Sequence, residues 1–139
     1  MKIAYCGYDF FYSCFDDILG AGHEVVELFT FETDNEYDFN HKVIKIASDN
    51  DIPITKTPIS VSDLSRLKDK GADLILSAAY LHKIPEWHDF VPYAVNIHPA
   101  LLPIGRGCWP LPWIILKGLE TTGVTLHEVS KRFDEGDII

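Results

Sequence analysis

The sequence predicts an α/β fold: a Rossmann-like open sheet, mostly parallel, with helices on both faces. Short apolar runs alternate with segments whose apolar residues recur every three or four positions. The run ADLILSAAY over residues 72–80 is apolar almost throughout, as a central parallel strand covered on both sides requires. Glycines punctuate the ends of the helical segments, at Gly20, Gly22 and Gly71.

Each element follows from local pattern. Residues 2–7 (KIAYCG) form a first strand that ends at glycine. Residues 10–19 place Phe11, Cys14, Phe15 and Ile18 on one side of a helix. The turn Gly7-Tyr8-Asp9 between them is not a G-x-G-x-x-G fingerprint. Its helix N-terminus could receive an anion, and it equally fits a plain connection. Residues 23–31 are a second strand, and residues 32–37 an acidic, solvated loop. The next helix, over residues 42–47, turns Val43, Ile44, Ile46 and Ala47 inward and ends near residues 49–51. Residues 52–55 are a short edge strand, given Pro53. Residues 62–70 read as a helix with Ser62 as N-cap, Leu64 and Leu67 inward, and Gly71 as the stop. Residues 109–118 open with a proline-containing turn and continue as a short apolar helix, with Trp113 expected in the core. Residues 121–129 alternate as a strand, residues 130–137 are a polar loop, and Ile138-Ile139 begin another strand.

Bulk properties narrow the function. A chain of 139 residues, 47% hydrophobic and 24% charged, is a globular domain with a real core. No apolar run reaches membrane-spanning length, and the first residues lack a signal-peptide layout. The three cysteines have no C-x-x-C spacing, so reduced thiols, a cytoplasmic location and no metal centre are expected. A net charge of −9 disfavours a nucleic-acid partner, because phosphate binding draws on Lys and Arg.

In open parallel sheets ligands bind beyond the carboxyl ends of the strands. Residues 80–84 and residues 96–98 occupy two such ends. Asn96 and His98 are two apart on a strand, so their side chains point the same way. An amide can donate to a developing oxyanion, and an imidazole exchanges a proton near neutral pH. Taken alone, the N-x-H pair is a weak signal that fits a turn-capping asparagine and a satisfied edge histidine better than a reacting pair.

A longer pattern adds to it. The ordered set NIHPALLP…RG…TGVTLH…FDEGDII, running from Asn96 to the last residue, resembles the folate-dependent formyltransferase family. That family includes methionyl-tRNA, glycinamide ribonucleotide and sugar-amine N-formyltransferases. The resemblance implies an N-formyltransferase that moves a formyl group from 10-formyltetrahydrofolate to an amine. It places Asn96, His98 and Asp134 on the family's catalytic Asn, His and Asp. His127 either faces the site and helps order Asp134 or is a strand histidine packed by its neighbours. The folate is expected between the 80–84 and 130–137 loops, against Tyr80, Leu81, His82, Ile84, Leu101 and Phe133. The family's cis peptide falls on Leu102–Pro103. Residues 1–139 then form a formyltransferase catalytic domain, expected to lack its C-terminal part because related domains continue further.

The acceptor is a small amine. The segment Arg106-Gly-Cys-Trp-Pro-Leu-Pro-Trp113 is similar to the R-G-x-x-P-L-x-W pattern of sugar-nucleotide formyltransferases, which implies a nucleotide-linked amino sugar. Arg106, Tyr8, Trp109 and His127 are its candidate contacts. Arg106 could grip a phosphate bidentately or be a surface arginine beside acidic neighbours. A formyltetrahydrofolate hydrolase, the tRNA or ribonucleotide enzyme, and a non-catalytic folate- or nucleotide-binding module are the alternatives, and a homodimer is left open.

Overall fold

The computed structural model describes residues 1–139. Its strands are β1 (Lys2–Gly7), β2 (Glu24–Phe29), β3 (Ile54–Thr55), β4 (Leu74–Ala78), β5 (Tyr93–His98) and β6 (Thr125–Glu128). Its helices are α1 (Tyr12–Gly20), α2 (His41–Asp49), α3 (Val61–Asp69) and α4 (Pro110–Leu116). The six strands make one sheet in the order β3-β2-β1-β4-β5-β6. All neighbours are parallel except β5 and β6. The short strand with Pro53 at its entry lies at the edge, and the apolar run of β4 lies inside the sheet, both as expected.

Period-2 alternation splits the core into two layers. On β1, Ile3 and Tyr5 pack with Phe15 of α1 and with Val43 and Ala47 of α2. Ala4 and Cys6 point the other way, to Leu64 and Leu67 of α3 and to Trp87 and Val91. Helices therefore cover both faces. Burial in these layers pushes the Cys6 thiol and the Tyr5 phenol well above their ordinary values.

The structure corrects four details. A 3-10 turn, Asp9–Phe11, precedes α1. The Asp9 N–H donates to the Phe39 carbonyl, and the Asp9 carboxylate accepts from the Lys42 and Val43 N–H groups at the start of α2. Asp9, expected only as part of the turn before α1, thus caps the start of α2. The N-cap of α3 is Ser60, not Ser62: its hydroxyl accepts from Asp63 N–H while the Asp63 carboxylate accepts from Ser60 N–H. Trp113 is 42% exposed and not in the core, because the short α4 buries only Pro110 and Ile114. The last strand is confined to residues 125–128, and Ile138 bridges antiparallel to His127 beside it.

Candidate active site

β5 ends at the site. Its register against β4 pairs Ser77 with Asn96 and Ala78 with Ile97, so the loops after both strands open at one edge. On the other side β6 runs antiparallel, pairing Asn96 with His127 and His98 with Thr125. Thr125 and His127 are the buried positions of the alternating β6. The same alternation that aims Asn96 and His98 therefore aims His127 beside them.

His98 is buried and fixed at both ring nitrogens. Nε2–H donates to the Gly105 carbonyl at 2.7 Å, and Nδ1 lies 3.4 Å from Asp134 Oδ1. His127 Nδ1–H donates to the Glu128 carbonyl at 2.8 Å, which leaves Nε2 to accept from Asn96 Nδ2 at 3.0 Å. Asp134 Oδ1 lies 3.5 Å from that same Nε2. One amide, two imidazoles and one carboxylate thus form a single cluster, and Asn96 keeps an N–H and its carbonyl oxygen uncommitted to it.

The surrounding loops hold this cluster. Thr125 Oγ1 donates to the Ala100 carbonyl at 2.6 Å and accepts from Leu102 N–H at 3.0 Å, tying the turn after β5 to β6. The Leu102–Pro103 peptide within that turn is cis, as expected. Gly107, at φ +100°, aims its N–H at Asp134 Oδ2, 2.8 Å away. Asp134 itself has φ +55°, and Ala79 beside the cluster has φ +59°. Both are left-handed positions that non-glycine residues adopt at some cost, and both lie at the site.

A cavity of about 540 Å³ opens over the cluster. Of the residues singled out from sequence, Tyr8, Tyr80, Leu81, His82, Ile84, Asn96 and His98 line it. So do Trp109, His127, Phe133 and Asp134. Leu81, Trp109 and Phe133 are large, apolar and exposed around its mouth. The Tyr80 ring faces the cavity while its hydroxyl accepts from Ile59 N–H, and burial pushes that phenol above its ordinary value.

Two expected contacts are not among the lining residues. Leu101 instead packs over Gly123, where an added Cβ would sit 2.7 Å from its Cδ2. Arg106 is half-exposed and faces Glu135 at 4.0 Å. The contribution of the Arg106-Gly107 turn to the cluster is the Gly107 N–H rather than the guanidinium. Sequence reasoning missed Phe10, Asp38, Ser77 and Cys108, which also line the cavity. Ser77 was reachable through β4–β5 register, but Asp38 depends on how the loop before α2 folds over the end of β1.

The fold is an α/β sheet of the nucleotide-fold type, with an Asn–His–Asp cluster at the carboxyl end of its strands under an apolar cavity. A family model described as Formyl transferase matches residues 40–139, and the chain belongs to that family. Solved structures share its fold. Phosphoribosylglycinamide formyltransferase from Bacillus halodurans is 24% identical with a TM-score of 0.80, covering 100% of this chain and 77% of its own. A 4-N formyltransferase from Francisella tularensis is 25% identical with a TM-score of 0.69, over 99% of this chain and 53% of its own. A formyltetrahydrofolate deformylase from Pseudomonas syringae pv. tomato is 21% identical with a TM-score of 0.73, over 99% of this chain and 48% of its own.

Proposed function

We propose that this protein is an N-formyltransferase that moves the formyl group of 10-formyltetrahydrofolate to the amine of a small acceptor. The observation that carries the reading is the Asn96–His98–His127–Asp134 cluster at the floor of an apolar cavity wide enough for a fused-ring donor. The pterin lies between the 80–84 and 130–134 loops, against Tyr80, Leu81, His82, Ile84 and Phe133. Lys83, Lys131 and Arg132 line the same cavity and suit the carboxylates of the donor's tail.

The uncharged acceptor amine attacks the formyl carbon, and a new C–N bond forms. Negative charge develops on the formyl oxygen, where the free Asn96 N–H and a protonated His98 stabilise it. The bond from that carbon to the folate nitrogen then breaks. A proton leaves the acceptor nitrogen and reaches the departing one, by way of a water ordered by Asp134. His127 positions Asn96 by accepting from its amide.

The acceptor class follows the R-G-x-x-P-L-x-W resemblance: an amino sugar linked to a nucleotide. The reaction takes place in the cytoplasm, in a catalytic domain of which residues 1–139 are the N-terminal and central portion. No helix is long and apolar enough to cross a membrane.

A mass-spectrometric assay with 10-formyltetrahydrofolate and a panel of amines tests the reading. One formyl group gained by an amino-sugar nucleotide is the expected result. Asn96→Ala, His98→Ala and Asp134→Ala should each lower kcat by at least about 100-fold with the fold intact. Formate released at the same rate with and without amine would make the protein a hydrolase instead.

A further inference from the structure

One wall of the cavity is not accounted for by the donor or by the reacting cluster. It is built from the end of β1 and the loop before α2, and its residues are Tyr8, Phe10 and Asp38. The Tyr8 ring stacks 6.2 Å from Phe10 and lies 5.2 Å from Phe31. Phe10 meets Phe11 edge-on at 4.8 Å and remains 47% exposed. The half-buried Asp38 carboxylate stands near the Tyr8 hydroxyl, and no lysine or arginine pairs with it. Burial, then Asp38, pushes the Tyr8 phenol above its ordinary value.

The wall offers a carboxylate and ring faces but no lysine or arginine side chain. Three backbone N–H groups nearby are already engaged: Asp9 N–H by the Phe39 carbonyl, and those of Lys42 and Val43 by the Asp9 carboxylate. The lysines and arginine of the cavity stand on the other loops, at Lys83, Lys131 and Arg132. β4 separates β1 from β5. The wall therefore stands two strand spacings, about 10 Å, from His98. A small acceptor with its amine at His98 reaches this wall with its far end.

We propose that Tyr8, Phe10 and Asp38 select the acceptor: they take a ring bearing N–H or O–H donors and exclude a phosphate at that position. Aromatic faces stack the ring, and the carboxylate accepts from its edge. A phosphate there would meet a like charge with no lysine or arginine to offset it. The ring is either the base of a nucleotide-linked amino sugar or a second sugar, and the two share this chemistry. The inference rests on the N-formyltransferase reading and narrows its substrate.

The test measures formyl transfer to three compounds: a nucleoside-diphosphate amino sugar, the corresponding free amino sugar, and glycinamide ribonucleotide, whose far end is a phosphate. The first or the second should be used well, which tells base from sugar, and the third poorly. Asp38→Asn should raise KM for the better ring acceptor about tenfold, leave donor KM within twofold, and lower KM for glycinamide ribonucleotide. Phe10→Ala, at an exposed position, should raise the same acceptor KM about fivefold. Unchanged acceptor KM in both variants, or glycinamide ribonucleotide as the best substrate, overturns the inference. Transfer to none of the amines overturns instead the reading beneath it. Calorimetry with the same three compounds then decides the wall: ring compounds should bind with Kd about tenfold weaker in Asp38→Asn, and equal Kd values would sink the proposal.

Discussion

Asp134 is held in place by three contacts that come from three separate stretches of chain. Gly107 N–H donates to one oxygen, while His98 Nδ1 and His127 Nε2 flank the other. Its own backbone is left-handed, so the loop must be over-determined to keep it there. Gly136 supplies part of that constraint. A Cβ added at Gly136 would overlap the Glu128 carbonyl on β6, so any larger residue pushes the loop off the sheet. We expect Gly136→Ala to displace the Asp134 carboxylate and to lower kcat about 100-fold, since ångström-scale misplacement costs that much. The melting temperature should fall only a few degrees, because the loop lies at the surface. A Gly136→Ala protein turning over within threefold of the parent would show that the loop does not set the position of Asp134. The period of a strand put Asn96 and His98 on one face, and the ordered NIHPALLP…FDEGDII pattern singled them out. Asp134 was not legible from period, because a left-handed loop residue has no periodic signature, and only the FDEGDII resemblance pointed to it.

α3 shows why one element was read with its start misplaced. Ser60 and Asp63 satisfy each other's backbone N–H groups, closing the first turn of the helix from both ends. The serine nearest the first buried leucine, Ser62, looked like the cap. The S-x-x-D spacing of Ser60 and Asp63 was the better signal, because it names the reciprocal partner. Ser60→Ala should cost about 1 kcal/mol, or roughly 3–5 °C in melting temperature for a domain of this size. Ser62→Ala should stay within about 0.5 kcal/mol of the parent. Equal losses in the two variants, read by thermal unfolding, would contradict the assigned cap. The same reasoning explains α4. Its apolar run reads as a core helix, yet seven residues make only two turns, and one side of it meets the fold. The rest is exposed because no other element lies over it, which no local pattern encodes.

At the scale of the whole molecule, the open, mostly parallel sheet was readable because alternating strand and helix units leave few topologies. The ionic contact that ties the sheet to its α3 layer was not, since its members lie far apart in sequence. Glu27, on β2, is almost fully buried, and its carboxylate accepts from Thr55 on β3 and from Arg66 and Lys70 at the end of α3. Burial alone would push the Glu27 carboxyl up. The hydrogen bonds from Arg66, Lys70 and Thr55, with the charge of Lys70, outweigh it and hold the group below its ordinary value. The sign of the linkage follows. A carboxyl lowered in the folded state contributes stability that is fully present above its unfolded value, near 4.5. That contribution is lost as pH falls through the folded value. Arg66 and Lys70 are 42% and 32% exposed, so they rehydrate when the carboxylate is removed, and the loss falls below that of a fully buried pair. Glu27→Gln should therefore lower stability at pH 7 by about 2 kcal/mol. It should also flatten the decline of melting temperature between about pH 5 and pH 3, leaving only the part due to other carboxylates such as Asp63, which is likewise held low. Melting curves of the two proteins across that range check this directly. Parallel pH profiles, offset or not, would mean that Glu27 does not titrate with unfolding and that the contact stabilises by packing alone.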